Sequence, residues 1–291
     1  MDHVGRIFRP PSEAESLLLQ VTVGCSHNRC TYCAMYDGPD QAFRIKPWNT
    51  VATDIDEMAG QPVRRVFLCD GDALVLPTDQ LVRILGRLHD KLPLLRRVGI
   101  YGDARSILRK TPRELERLKT AGLGIVYHGA ESGDDHTLER VVKGSTAEEA
   151  VEAAARLKTA GIRHSVIVML GLGGTARSEQ HAVATADLLT RMDPPFVGAL
   201  TTTVIPGTPL AREESDGDFV LPDPWGLLTE LRILIRDSRL TRCRFHSNHA
   251  SNYLPLSLNL PADRDMALAR LDEVLDHRDP GDLVPEHWRG L

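Results

Sequence analysis

Long apolar runs are missing from this sequence. No stretch approaches the roughly 18 consecutive apolar residues of a membrane-spanning helix. The first 16 residues, "MDHVGRIFRPPSEAES", have mixed charge and two prolines where a secretory signal would carry an apolar core. The chain therefore reads as cytoplasmic, with no membrane partner. Basic excess is also missing: 35 Lys and Arg face 40 Asp and Glu, a formal charge of −5, so no broad basic face for nucleic acid is expected. Cysteine is scarce, five in 291 residues. In a cytoplasmic protein clustered cysteines are more often metal ligands or redox groups than structural disulfides.

What is present is the balance of an ordinary globular protein, 42% apolar and 26% charged, long enough to bury a sizeable core. Six apolar, β-branched stretches recur, each followed by a helical pattern: "LLLQVTVG" (17–24), "RVFLCDGD" (65–72), "RVGIYGDA" (97–104), "GIVYHGAES" (124–132), "HSVIVMLG" (164–171) and "GALTTTVI" (198–205). Thr111-Pro112-Arg113-Glu114 and Thr146-Ala147-Glu148-Glu149 have the form of capping boxes that start helices. Strand and helix alternating six times predicts α/β architecture with a parallel sheet covered by helices, either an open doubly wound sheet or a curled barrel. In such a barrel the chemistry collects at the carboxyl ends of the strands. Past residue 210 the rhythm stops: an acidic loop (213–218), a helix from Trp225, the polar stretch "HSNHASNYLPL" (246–256) and a last helix near 263–276 are expected. Arg232, Arg236, Arg239, Arg242 and Arg244 read first as a solvated face, with an anion-binding edge as the alternative.

Three of the five cysteines fall within nine positions, in "GCSHNRCTYC" (24–33), where Cys25, Cys30 and Cys33 are spaced C-x4-C-x2-C directly after the first strand. A zinc site would want a fourth protein ligand, which His27, Cys69 or Cys243 could supply. An iron–sulfur cluster held by three thiolates would instead leave one iron open to a substrate or cofactor.

The loop, with Tyr32 just before its last cysteine, resembles that of radical S-adenosylmethionine (radical SAM) enzymes. The resemblance extends over about residues 17–210; the family's commonest spacing is C-x3-C-x2-C, from which this chain departs by one extra residue in the first gap, and "GCSHNRCTYC" resembles the loop of the coproporphyrinogen dehydrogenase-like and Elongator-catalytic-subunit-like branch. It implies a partial (β/α)6 TIM-type barrel over 17–210, after an N-terminal segment (1–16) and before an extension (211–291) that closes the barrel mouth. It further implies a [4Fe–4S] cluster on Cys25, Cys30 and Cys33 whose open iron chelates SAM. A one-electron donor such as flavodoxin or ferredoxin would drive cleavage of SAM to a 5′-deoxyadenosyl radical that takes hydrogen from a small-molecule substrate, in an oxygen-sensitive enzyme.

Other positions match the family's pattern. "DGDAL" (70–74) stands where the family receives the SAM ammonium, with Gly71 allowing close approach and Asp72 as the acid; a plain strand-to-loop turn is the alternative. "GAESG" (129–133) resembles the family's G-x-E-S-G, making Glu131 a contact for the ribose or amino end of SAM, although Ser132-x-x-Asp135 could simply cap a helix. Lys143 matches a basic residue that pairs with the SAM carboxylate. Alternation along the fifth strand turns Ser165, Ile167 and Met169 to one side, and the resemblance implies a wall for the adenine and a ribose contact there. On the substrate side His128, His246, Asn248 and His249 are candidates. A core histidine is the competing reading of His128, and turns and caps compete for "FHSNHASNY" (245–253). Against catalysis stand two further readings, an inert zinc or iron–sulfur module and a SAM-binding accessory protein.

Overall fold

The computed structural model describes residues 1–290. In chain order the main elements are β1 (Leu17–Gln20), β2 (Thr22–Val23), β3 (Arg44–Ile45), α1 (Trp48–Asp56), β4 (Arg65–Cys69), α2 (Thr78–Lys91), β5 (Arg97–Tyr101), α3 (Ala104–Leu108), α4 (Pro112–Thr120) and β6 (Leu123–Glu131). They continue with α5 (Asp135–Arg140), α6 (Ala147–Thr159), β7 (Arg163–Leu170), α7 (Gly174–Met192), β8 (Phe196–Thr201), α8 (Pro209–Asp216), α9 (Pro224–Asp237), β9 (Cys243–His246), β10 (Ser257–Leu260) and α10 (Arg264–His277). The result is a mixed α/β fold whose sheet is mostly parallel, as expected of a partial TIM-type barrel.

The chain divides into two compact units. The first holds residues 1–28, 34–128 and 152–164, the second residues 29–33, 129–151 and 165–291. In the first unit β1, β4 and β5 pair in parallel, followed in order by β6. The strands are almost continuously apolar because helices cover them, and their residues Leu19, Val66, Leu68, Val98, Ile100 and Val126 are fully buried in one cluster with Ile84, Leu85 and Leu88 of α2. The capping box at α4 forms as its sequence predicts: Glu114 N–H donates to Thr111 Oγ1 at 3.3 Å, and Thr111 N–H donates to Glu114 Oε2 at 2.8 Å.

In the second unit β7, β8 and β9 run parallel, and β10 closes the edge antiparallel to β9. Helix α9 buries Leu227, Leu228, Leu231, Ile233, Leu234 and Ile235 in this unit. Thr146 and Glu149 exchange the expected capping-box bonds at 2.8 and 3.2 Å.

All six expected strands form, with four differences. The stretch 17–24 is broken into β1 and β2, and β2 turns aside to pair with β3. Most of 213–218 is not a loop: Thr208 caps α8, with Pro209 in its first turn, and Glu213, Glu214 and Asp216 lie on that helix, which only Gly217 and Asp218 follow. The strand rhythm does not end at 210, since β9 and β10 add two more strands. Finally, α5 is capped by Asp134, whose carboxylate accepts the Thr137 N–H, and not by Ser132. Within the arginine series Arg232 is paired with Asp272 and Arg236 with Asp237, while Arg239 donates to the Arg236 carbonyl.

Candidate active site

The cysteine loop leaves β2 in the first unit and continues into the second, Cys25 belonging to one and Cys30 and Cys33 to the other. All three thiols are half-buried and none is in a disulfide.

In the first unit, two aspartates beyond β4 hold the start of the loop. Asp70 Oδ2 accepts from Gln20 Nε2 at 2.7 Å and from the Gly24 N–H at 3.2 Å, while the Asp70 N–H donates to Thr22 Oγ1 at 3.0 Å. Asp72, 1% exposed, accepts from Ser26 Oγ at 2.5 Å, Ser106 Oγ at 2.6 Å and the Asp103 N–H at 3.3 Å. Burial raises both carboxyls, Asp70 to about 6 and Asp72, with Asp103 beside it, to about 7. Asp103 holds Arg105, whose Nη1 donates to His27 Nδ1 at 2.9 Å. Both serine hydroxyls that reach Asp72 lie at points the motif does not mark, as do Asp103 and Arg105.

Between these aspartates Gly71 is packed so closely that a Cβ there would lie 2.6 Å from Tyr36 Cε2 and 3.0 Å from Cys25 Cβ. A side chain would collide with a ring and with a cysteine that has to keep its position.

In the second unit, three of the residues expected to meet SAM, Tyr32, Glu131 and Lys143, stand together at the end of β6. Glu131 Oε1 accepts from Lys143 Nζ at 3.0 Å, the acid being buried and the lysine half-buried. The Tyr32 hydroxyl bonds the same carboxylate; burial first, then Glu131 and the neighbouring Cys30 and Cys33, hold the phenol protonated well above its usual range. Thr31 ties the cysteine loop into this group, its N–H donating to the Val141 carbonyl and its carbonyl accepting the Leu210 N–H, each at 3.0 Å. Glu131 itself has φ 67° and Val142, next to Lys143, φ 53°, a left-handed conformation uncommon for side-chain-bearing residues and a marked outlier for a β-branched one.

Ser132 has a different task from capping. Its Oγ lies 2.7 Å from His181 Nδ1 and accepts the Asp134 N–H at 2.9 Å. His181 Nε2 lies 2.8 Å from the Met169 carbonyl, which only accepts, so Nε2 carries the proton and Nδ1 receives the serine O–H. Burial lowers this imidazole to about 4, which keeps it in that neutral tautomer. Gly133 is pressed against helix α7, where a Cβ would lie 2.1 Å from the Ala184 carbonyl oxygen. Along β7, Met169 and Ile167 are half-buried and Ser165 is buried, while Val166, Val168 and Leu170 face the core.

The remaining candidates are placed as follows. His128 is fully buried in the first unit, stacked on His164 with ring centroids 5.3 Å apart, in keeping with a core histidine. His246 Nδ1 and Asn248 Nδ2 each lie 3.3 Å from Ser257 Oγ, and His249 Nδ1 accepts the Ser251 N–H at 3.1 Å. The buried members of this polar stretch tie the chain to β8: Ser251 Oγ accepts the Thr201 N–H, and Asn252 reaches Thr201 and the Ala199 carbonyl. Burial pushes the thiol of Cys243 up to about 12 and that of Cys69 higher.

Residues 19–188 match the family model described as the radical SAM superfamily. The chain belongs to the radical SAM superfamily. Membership places it among radical SAM enzymes, with a [4Fe–4S] cluster and SAM as cofactors. A comparison with curated proteins finds no significant match. Solved structures share the fold. The radical SAM methyltransferase TsrM from Kitasatospora setae, with cobalamin and a [4Fe–4S] cluster bound, has a TM-score of 0.57 at 19% identity, over 69% of this chain and 39% of its own. Coproporphyrinogen III oxidase (HemN) from Escherichia coli, a radical SAM enzyme, has 0.57 at 18%, over 76% and 51%. Archaeal Elp3 from Methanocaldococcus infernus, with an N-terminal deletion, has 0.51 at 14%, over 89% and 63%. This chain thus spans less than two thirds of each.

The residues fit a radical SAM cluster. Among the described residues no three His, Cys, Asp or Glu side chains are gathered as a metal cage. The donor set is nevertheless three half-buried thiols on one loop, Cys25 lies against the side-chain-free backbone of Gly71, and the buried Tyr36 hydroxyl beside it has no hydrogen-bond partner.

Proposed function

We propose that this radical SAM enzyme reductively cleaves S-adenosylmethionine and uses the product radical on a small-molecule substrate. The observation that carries the reading is the three-cysteine loop, Cys25, Cys30 and Cys33, inside the stretch that matches the family. When bound, the cluster supplies the electron that breaks SAM into methionine and a 5′-deoxyadenosyl radical, which removes a hydrogen atom from substrate.

The chain's own residues hold and orient. Cys25, Cys30 and Cys33 ligate the cluster. Glu131 receives the ammonium or ribose hydroxyls of SAM, and Lys143 its carboxylate. Tyr32 and Lys143 keep Glu131 in place, so the acid is set before the cofactor arrives. Gly71 gives close backbone approach, and Asp72, whose oxygens bond Ser26, Ser106 and Asp103, holds the cysteine loop as well as presenting an acid to the ammonium. Ser165 and Met169 on β7 serve the ribose and adenine. Residues 17–210 carry the cofactors and residues 211–291 limit access to them, with His246, Asn248 and His249 on the substrate side. A flavodoxin or ferredoxin supplies electrons. No described helix is long and apolar enough to cross a membrane, in keeping with cytoplasmic work beside such a donor.

The test is anaerobic reconstitution with iron and sulfide, reduction, addition of SAM and assay of 5′-deoxyadenosine, with Cys30→Ala beside the wild type. Production that disappears in the variant is expected. An iron-loaded wild type that leaves SAM intact, and whose reduced-cluster EPR signal ignores SAM, would make the chain an inert metal module instead.

A further inference from the structure

Tyr36 lies three residues past the last cysteine of the loop, outside the motif. Its side chain is only 4% exposed, set edge-on to Phe8 with ring centroids 5.5 Å apart. Its carbonyl accepts from Asn28 Nδ2 at 3.1 Å, which fixes this turn of the first unit. The hydroxyl is buried and has no hydrogen-bond partner. Asp70, fully buried and electrostatically close, also has one oxygen, Oδ1, without a partner, so the two groups do not satisfy each other. A buried donor left unpaired forfeits the hydration it had in the unfolded chain and gets no bond in return. Burial, with Asp70 next, keeps the phenol protonated far above its usual range, so the group is an O–H donor at every working pH.

Its location indicates the acceptor. A Cβ on Gly71 would lie 3.2 Å from the hydroxyl-bearing carbon of Tyr36 and 3.0 Å from Cys25 Cβ. The phenol and Cys25 therefore meet over the same glycine. Cysteine thiolates and bridging sulfides accept hydrogen bonds, and such bonds help set the reduction potential of an iron–sulfur cluster.

We propose that the Tyr36 hydroxyl donates a hydrogen bond to a sulfur at the Cys25 corner of the cluster and thereby raises the cluster's reduction potential. The inference rests on the radical SAM reading of the cysteine loop. The physical reason is that the reduced cluster carries one more negative charge and gains more from a fixed donor dipole than the oxidised one does.

Tyr36→Phe tests this, because it deletes one oxygen and keeps the ring that packs on Phe8 and Gly71. Wild type and variant are reconstituted anaerobically, checked for iron and sulfide content, and titrated reductively with EPR detection. Samples exchanged into D2O are then examined by electron–nuclear double resonance. The expected result is an equal cluster content, a midpoint potential shifted to more negative values in the variant, and loss of one exchangeable deuteron coupling. A normal wild-type cluster whose potential and deuteron couplings are unchanged by Tyr36→Phe would overturn this inference alone. Loss of the cluster in the variant would overturn it too, since it gives the hydroxyl a tuning role and no ligating one. A wild type that forms no [4Fe–4S] cluster would overturn the underlying reading together with the inference.

Discussion

Glu131 ends β6 with a left-handed backbone, φ 67°, while its carboxylate binds Lys143 and Tyr32. The two properties separate by substitution. A residue with a Cβ costs about 1–2 kcal/mol in this conformation, and glycine does not. Glu131→Ala keeps that cost and leaves the half-buried Lys143 without its carboxylate; Glu131→Gly also removes the carboxylate but relaxes the backbone. We expect both variants to lose SAM affinity by tenfold or more in equilibrium binding. Chemical denaturation should find the glycine variant about 1 kcal/mol the more stable. Equal stabilities would mean that the backbone here is held at no cost, and unchanged SAM binding would remove Glu131 from the site. The sequence marks this residue through G-x-E-S-G, but it does not mark Tyr36, Ser26, Ser106 or His181. Those four reach the site through contacts between positions far apart in sequence, on types as common as serine, and no local spacing betrays them.

At the scale of elements, strands β6 and β7 and helices α7 and α9 meet in one polar network. His181 of α7 joins Ser132 to the Met169 carbonyl, and Glu230 of α9 accepts the Gly171 N–H and the Ser178 hydroxyl, each at 2.6 Å. Burial lifts Glu230 from 4.5 to about 7. Between those values the folded protein keeps a proton that the unfolded chain has released, so this group's contribution falls as pH rises through that window and levels off above it. His181, held near 4, acts with the opposite sign, which is why a difference measurement is needed. Glu230→Gln can offer its carbonyl to Gly171 and its amide to Ser178 without titrating. Urea unfolding at pH 5, 6, 7 and 8 should show the variant gaining on the wild type from pH 5 to 7, by up to a few kcal/mol, then running parallel. A constant difference would mean that Glu230 is ionised throughout. Of the helices that frame this network, the sequence marks α9 only as a helix from Trp225, and the capping signals at Thr111 and Thr146 belong to α4 and α6. Helix α8 was not legible, because its run of acids looks like a loop unless Thr208-Pro209 is recognised as its start.

At the scale of the whole molecule, the six apolar strands were readable because a helix-covered parallel sheet needs near-continuous apolar runs, and such runs stand out. Strands β9 and β10 were hidden because each is only four residues long and exposes alternate residues around a polar connection, with β10 at the sheet edge. Their position gives the C-terminal residues a structural part in the second unit. β9 hydrogen-bonds to β8, with Val197 opposite Phe245, and α9 buries six large aliphatic side chains there. Each such side chain contributes about 1.5–3 kcal/mol when fully buried, and a domain's net stability is only about 5–15 kcal/mol. Ending the chain at residue 210 removes all of them, bares the edge of β8, and takes from Gly171 the carboxylate that receives its N–H. We therefore expect a 1–210 fragment to show no cooperative thermal transition by circular dichroism and to aggregate, although it contains every proposed cofactor residue. A soluble fragment that melts cooperatively and takes up a [4Fe–4S] cluster would show that residues 211–291 act only on access to the site. Aggregation with loss of the transition would make them part of the fold that holds β7 and β8, and with them Ser165 and Met169, in place.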